Sequence, residues 1–136
     1  MQVGVKVIIK NSNNLFLLLK RADQYLLPAN TLEAWDIPGG RIEHDENLKN
    51  ALAREVKEEI NVALTGEPKL LLAQDIFVTH KDLHVVRLTY LHTMEVENIV
   101  LSDEHTEYRW VTLAETKSLS IEPFLRAALD SFQEDT

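Results

Sequence analysis

Two short apolar blocks open the chain, Val3 to Ile9 and Leu15 to Arg21, separated by the polar run Lys10-Asn11-Ser12-Asn13-Asn14. The first is rich in β-branched residues, so the pair predicts a β-hairpin about an Asn-rich turn. A loop containing Pro28 leads to a brief apolar piece, Trp35 to Ile37. Pro38-Gly39-Gly40 is expected to end it sharply, because proline fixes φ and glycine permits φ > 0. The pattern then changes period. Leu48, Leu52, Val56 and Ile60 recur every four residues, which predicts a helix over Leu48 to Ile60 whose apolar stripe packs on a sheet. Asn47 is suited to the N-cap and Asn61 to a left-handed residue at the helix end. Leu70 to Thr79 and Leu83 to Met94 predict two further strands about His80-Lys81-Asp82, and Glu107 to Leu113 another. Ile121 to Phe132 predicts a closing amphipathic helix with Pro123 in its first turn. Strands, helix, strands, helix implies an α/β sandwich with a mixed sheet between helices rather than a doubly wound parallel fold.

Composition narrows the function classes. At 136 residues with 45% hydrophobic content, one domain spanning 1–136 with a proper core is expected. Fourteen Lys and Arg against 22 Asp and Glu give a formal charge of −8, and no basic cluster stands out. That argues against a nucleic-acid polymer or a membrane surface as partner. With no cysteine, disulfides, thiolate nucleophiles and Cys-based zinc sites are excluded. The start MQVGVKVIIK lacks the form of a signal peptide, and runs such as Leu15 to Leu19 are too short to span a bilayer. A soluble, cytoplasmic protein without internal repeats is expected.

The central helix poses the chemical question. Glu55, Glu58 and Glu59 fall at i, i+3 and i+4 beside the apolar stripe, with Arg54 one turn from Glu58. Carboxylates so placed destabilise a helix near neutral pH unless positive charge compensates. The face is either merely solvated, as charge runs on helices often are, or it shares a cation, for which hard oxygen donors suit Mg²⁺ or Mn²⁺. Gly39 and Gly40 favour the second reading, since a loop without side chains lets backbone carbonyls approach the same ion.

The segment from Gly40 to Val62 resembles the signature box of the Nudix hydrolases, the MutT-like family. That box reads Gly, five residues, Glu, seven residues, Arg-Glu, an aliphatic residue, any residue, Glu-Glu, any residue, Gly and an aliphatic residue. Here it runs Gly40, Glu46, Arg54-Glu55-Val56, Glu58-Glu59, Asn61 and Val62, departing only at Asn61. LFLLLKR before the box and DEHTEYRWVTLAE after it extend the resemblance over roughly the whole chain. It implies a Nudix-type α/β/α sandwich, and a pyrophosphohydrolase that uses Mg²⁺ or Mn²⁺ to drive attack of water on a nucleoside diphosphate linked to another moiety. A nucleoside triphosphate or related small nucleotide would be the substrate; a nucleotide-binding sensor without turnover is the alternative. Carried over, Glu55, Glu58 and Glu59 would hold metal, with the Gly40 carbonyl as a further ligand. Arg54 would orient the acids and Glu46 would support them. Six residues before Trp110, where the MutT prototype has a further carboxylate, stands Glu104, a metal ligand or general base by resemblance; Glu107 competes for the part. A homodimer is compatible with the family.

Other residues weigh less. His80 and His84 flank a predicted hairpin turn and read as surface histidines rather than a zinc pair. Arg21 and Arg87 read as sheet-surface or salt-bridge residues before phosphate ligands, and Trp35, Tyr90 and Trp110 as packing before base stacking. Phe77-Val78-Thr79 carries neither the proline nor the tyrosine that marks some Nudix subfamilies. Ser120-Ile121, not asparagine, precedes Glu122-Pro123, which sets oxidised guanine in doubt as the base recognised.

Overall fold

A computed structural model describes residues 1–22 and 34–131. Its centre is a mixed sheet of seven strands in the order β3-β2-β1-β6-β5, with β4 added to β1 and β7 to β2. The strands are β1 (Gln2–Lys10), β2 (Phe16–Arg21), β3 (Trp35–Asp36), β4 (Gly39–Arg41), β5 (Lys69–Val78), β6 (Leu83–Thr93) and β7 (His105–Val111); the helices are α1 (Leu48–Ile60), α2 (Leu113–Thr116) and α3 (Pro123–Ser131). β1 runs parallel to β6 from Gln2↔Val85 to Lys10↔Thr93, and the other pairings are antiparallel.

Alternation along β1 and β2 makes the sandwich. Val5, Val7, Ile9, Leu17 and Leu19 join Ala51, Leu52, Val56 and Ile60 of α1 in one buried cluster. Ile8, Phe16 and Leu18 point the other way, onto Leu125, Ala128 and Leu129 of α3. A strand presents successive side chains to opposite faces, so one apolar run serves both layers. The α/β/α arrangement expected from the sequence is therefore the one found, with α1 and its caps at the predicted positions. The Asn47 side chain accepts from Asn50 N, and Asn61 is left-handed at φ 59° and ψ 38°.

Several boundaries differ from expectation. Gly39 and Gly40 do not simply end a strand: they begin β4, which pairs with β1 through Val5↔Gly40 and Lys6↔Gly39. A Cβ on Gly39 would stand 2.1 Å from the Val5 carbonyl oxygen, and Gly39 has φ +145°, so only glycine allows this approach. The late strand starts at His105 and stops at Val111, because Thr112 and Glu115 form a reciprocal capping box that starts α2 instead. α3 starts at Pro123 rather than Ile121: the Glu122 carboxylate accepts from Phe124 N and Leu125 N, closing the helix start. Leu48, expected in the apolar stripe of α1, is exposed in the first turn, and Ala51 is buried instead. The loop with Pro28 and the helix end at Phe132 lie outside the described residues. Among the described residues no helix is long and apolar enough to cross a membrane.

Candidate functional site

The site is built where α1 lies along β4. Arg54, on α1, acts as a hub. Its Nε and one terminal nitrogen donate to both Glu46 oxygens at 2.7 and 2.9 Å, a bidentate pair. Its other terminal nitrogen donates to Glu55 at 2.9 Å and Glu58 at 3.2 Å, and a further bond reaches the Arg41 carbonyl at 3.0 Å. Helical spacing explains Glu58, four residues on; the loop Ile42 to Asn47 brings Glu46 back beneath the same guanidinium. Hydrogen bonds from Arg54, and then from the Glu43 backbone amide, hold the Glu46 carboxyl down at about 2.

Glu55 and Glu59 face β4 rather than solvent. A Cβ on Gly40 would come within 2.7 Å of the Glu55 carboxylate, so this glycine is what seats Glu55 against the strand. Glu59 receives the Gly39 amide at 3.3 Å and keeps a side-chain exposure of only 3%. Burial pushes its carboxyl up to about 9; Lys6 opposes the rise, and Glu55 and Glu104 add to it.

The final turn of α1 recruits the next part of the site. The carbonyls of Glu59 and Ile60, left without helical partners, accept from Ser102 N at 3.0 Å and Val100 N at 3.1 Å. This fastens residues 100–102 to the helix end and sets Glu104 and His105 beside Glu59. One donor atom from each of Glu59, Glu104 and His105 lies within 4.8 Å of the others. Glu107 instead points along β7, opposite Lys20 and 3.7 Å from Arg109. Of the two loop acids weighed from the sequence, it is Glu104 that the fold brings to the box.

Of the residues singled out in the sequence, Arg54, Glu46, Glu55, Glu58, Glu59, Gly40 and Glu104 thus surround one end of α1. Glu58 is more than half exposed and turned to Arg54. His105 was missed. It is buried, its Nδ1 has no hydrogen-bond partner, and burial, then Lys6, lowers its imidazole to about 4. Its position next to Glu104 was the only available signal, and a histidine in an acidic loop reads as surface.

The remaining candidates are elsewhere. Arg87 is buried in a pair with Glu122 at 2.7 Å and near Asp36 at 3.4 Å, and Arg21 donates to Asp36 at 3.0 Å. Both are salt-bridge residues. Trp35 packs in the α3 core under the Arg109 guanidinium, and Tyr90 and Trp110 pack against the α1 core. His84 bonds Asp75 at 2.7 Å and stacks on Phe77, while His80 sits in the turn after β5.

A divalent ion fits this donor set. Four carboxylates, Glu43, Glu46, Glu55 and Glu58, gather on one guanidinium, Glu59 beside them is buried without a Lys or Arg ion pair among the described residues, and a glycine replaces the side chain that would obstruct Glu55. Carboxylate and carbonyl oxygens are the donors that Mg²⁺ and Mn²⁺ take.

An arginine-organised carboxylate cluster between a helix and a glycine strand, on a mixed sheet covered by helices, defines the class. A family model for the NUDIX domain matches residues 1–132, and the chain belongs to the Nudix family, the MutT-like hydrolases. A putative 8-oxo-dGTP diphosphatase of Bacillus subtilis (strain 168) is 38% identical over 66 residues, covering 47% of this chain and 39% of that protein. The 8-oxo-dGTP diphosphatase of Buchnera aphidicola subsp. Schizaphis graminum is 25% identical over 115 residues, covering 85% and 79%. The chain thus spans about two fifths of the Bacillus relative's length and about four fifths of the Buchnera one. Among solved structures, the MutT protein of Methanosarcina mazei Go1 superposes with a TM-score of 0.77 at 27% identity, covering 95% of this chain and 90% of that one.

Proposed function

We propose that this protein is a divalent-metal-dependent pyrophosphohydrolase cleaving a nucleoside diphosphate linked to another moiety, with nucleoside triphosphates as the leading substrate class. The observation that carries the reading is Glu59, a carboxylate buried against two others with no Lys or Arg paired to it among the described residues. Such a group costs several kcal/mol to ionise in place unless a cation shares it. Glu55, Glu58, Glu59, Glu104 and the Gly40 carbonyl would hold Mg²⁺ or Mn²⁺. When bound, the ion neutralises phosphate charge and acidifies the attacking water. Arg54 keeps Glu46, Glu55 and Glu58 in fixed orientation, so the ligands need little rearrangement. Glu104, exposed at the edge of the cluster, would receive the water's proton if it is not itself a ligand.

The relatives' names favour a triphosphate whose hydrolysis leaves a nucleoside monophosphate and pyrophosphate. Against oxidised guanine as the specific base, the position before Glu122-Pro123 is Ile121, an apolar residue bridged to Trp35. The acidic, cysteine-free composition favours a cytoplasmic enzyme acting on small nucleotides, not on nucleic acid or membrane.

The test is a turnover screen in Mg²⁺ over nucleoside triphosphates including 8-oxo-dGTP, nucleotide sugars, ADP-ribose and dinucleoside polyphosphates, with products identified by mass. Hydrolysis at the phosphorus anhydride of one class is expected. Saturable Mg²⁺-dependent nucleotide binding without turnover would make the chain a sensor; neither binding nor turnover would leave the acids solvated and the proposal wrong.

A further inference from the structure

The carboxylate cluster contains one donor of a different kind. His105 begins β7, its side chain is 6% exposed, and its Nδ1 is buried with no hydrogen-bond partner. The Glu59 carboxylate oxygen stands 3.9 Å away, too far for a hydrogen bond. The spacing suits another purpose. With bonds of about 2.1 Å, two donors on one ion stand roughly 3.0 Å apart when adjacent and ~4.2 Å apart when opposed. The 3.9 Å gap falls inside that range, so a single ion can bond both atoms with little movement. Glu104 completes the trio within 4.8 Å.

Resting on the metal-dependent reading above, we infer that His105 supplies a nitrogen ligand to the ion at Glu59, giving the site a preference for Mn²⁺ over Mg²⁺. The chemistry behind the preference is general. Imidazole is a poor partner for Mg²⁺, which takes hard oxygens and gives up its waters reluctantly, whereas transition ions accept it readily. A carboxylate-only cluster would bind the two ions by charge and size. Adding one neutral nitrogen tilts the balance without adding negative charge. The inference also accounts for why a polar ring is buried here with its Nδ1 aimed at an acid it does not reach.

The experiment uses the full chain with Mn²⁺ alone as the probe. Pulsed electron paramagnetic resonance of bound Mn²⁺ should show coupling to a directly coordinated imidazole nitrogen, altered when the protein is made with ¹⁵N-histidine and absent in His105→Phe. Calorimetric titrations should show Mn²⁺ affinity falling roughly tenfold or more in His105→Phe while Mg²⁺ affinity changes little. If His105→Phe does not fold, His105→Gln takes its place, and a wild-type spectrum without nitrogen coupling overturns the inference by itself. Mn²⁺ bound at the carboxylates with no nitrogen coupling overturns the inference and leaves the pyrophosphohydrolase reading standing. No saturable Mn²⁺ binding at all overturns both.

Discussion

Two charged networks lie close together in this molecule, and they are balanced in opposite senses. Around Asp36, which is fully buried, three cations gather: Lys6 at 3.1 Å, Arg21 at 3.0 Å and Arg87 at 3.4 Å, with Glu122 as a second acid on Arg87. Burial alone would raise the Asp36 carboxyl, but those cations, helped by the Ile37 amide, hold it well below the usual carboxylate range. Around Arg54 the proportions reverse, with one guanidinium against Glu46, Glu55 and Glu58 and the buried Glu59 and Glu104 beyond its reach. Lys6 stands between the two, bonded to Asp36 yet felt by Glu59. A network that satisfies its own charge does structural work. One that leaves acids over has room for a cation from solution.

Substitutions that remove one carboxylate from each network should therefore fail in different assays. Glu59→Gln is expected to lower kcat on the order of 10³-fold in saturating Mg²⁺, since several kcal/mol of transition-state neutralisation depend on the ion it helps hold. Its denaturant midpoint without metal should match or exceed the wild type's. Asp36→Ala should do the reverse, losing about 3–5 kcal/mol in urea unfolding because Lys6, Arg21 and the buried Arg87 would crowd together without the carboxylate they share. If both variants lose stability and neither loses turnover selectively, the contrast between the networks is false.

The loop acids offer a smaller, sharper comparison. Glu104→Gln should cost about 10²-fold in kcat or more, the scale of general-base or ligand loss, while Glu107→Gln should stay within a few-fold. Steady-state kinetics on the pair would reassign the role if Glu107 proved the more damaging.

Opposite pKa shifts give opposite pH responses. Glu59 is raised, to about 9 from an ordinary 4.5, so its contribution is fully present below that ordinary value and lost as pH climbs toward the folded value. Asp36 is lowered, so its contribution holds above its ordinary 3.8 and disappears as pH falls. Metal-free protein should melt at progressively lower temperature between pH 5 and 9. Saturating Mg²⁺ should restore more of the melting temperature at pH 9 than at pH 5, because the ion takes the ionised carboxylate. A metal-free melting curve flat across that window would mean that Glu59 ionises unhindered.

The smallest effect is expected at Asn61. Left-handed at φ 59°, it occupies the place where the family box has glycine. Asn61→Gly should change stability by less than about 1 kcal/mol and kcat by a few-fold at most. Asn61→Val should destabilise the helix end, and equal thermal melts for the two would contradict the left-handed assignment.

How much of this was legible depended on how local the signal was. α1 could be read from end to end because its caps and its period of four are written within the helix itself. β4 was hidden because Gly39 and Gly40 carry no side chain to betray a strand; only the pairing with Val5 and Lys6 reveals it. α2 reads in the sequence as the end of a strand, since a four-residue helix leaves too few residues for a period, although Thr112 and Glu115 spell its capping box. The acids of the box were visible by spacing, but the burial of Glu59 was not, and the Asp36 network follows from strand pairings that no short window contains. His105 needed the loop's fastening to the end of α1 before it could be placed.

The parallel pairing of β1 with β6 has a consequence for the order in which the molecule comes into being. β4, with the glycines that seat Glu55 and Glu59, rests on β1; β1 finds its long partner only when Val85 to Thr93 have been made. Glu104 and His105 emerge later still. A chain leaving the ribosome can form α1 early, since helices close over nanoseconds to microseconds, but pairings between distant segments come slowly. During that interval the acids of α1 have no strand behind them. The nascent protein therefore has its most recognisable sequence long before it has a site, and hydrolysis can begin only once the residues through His105 have been made.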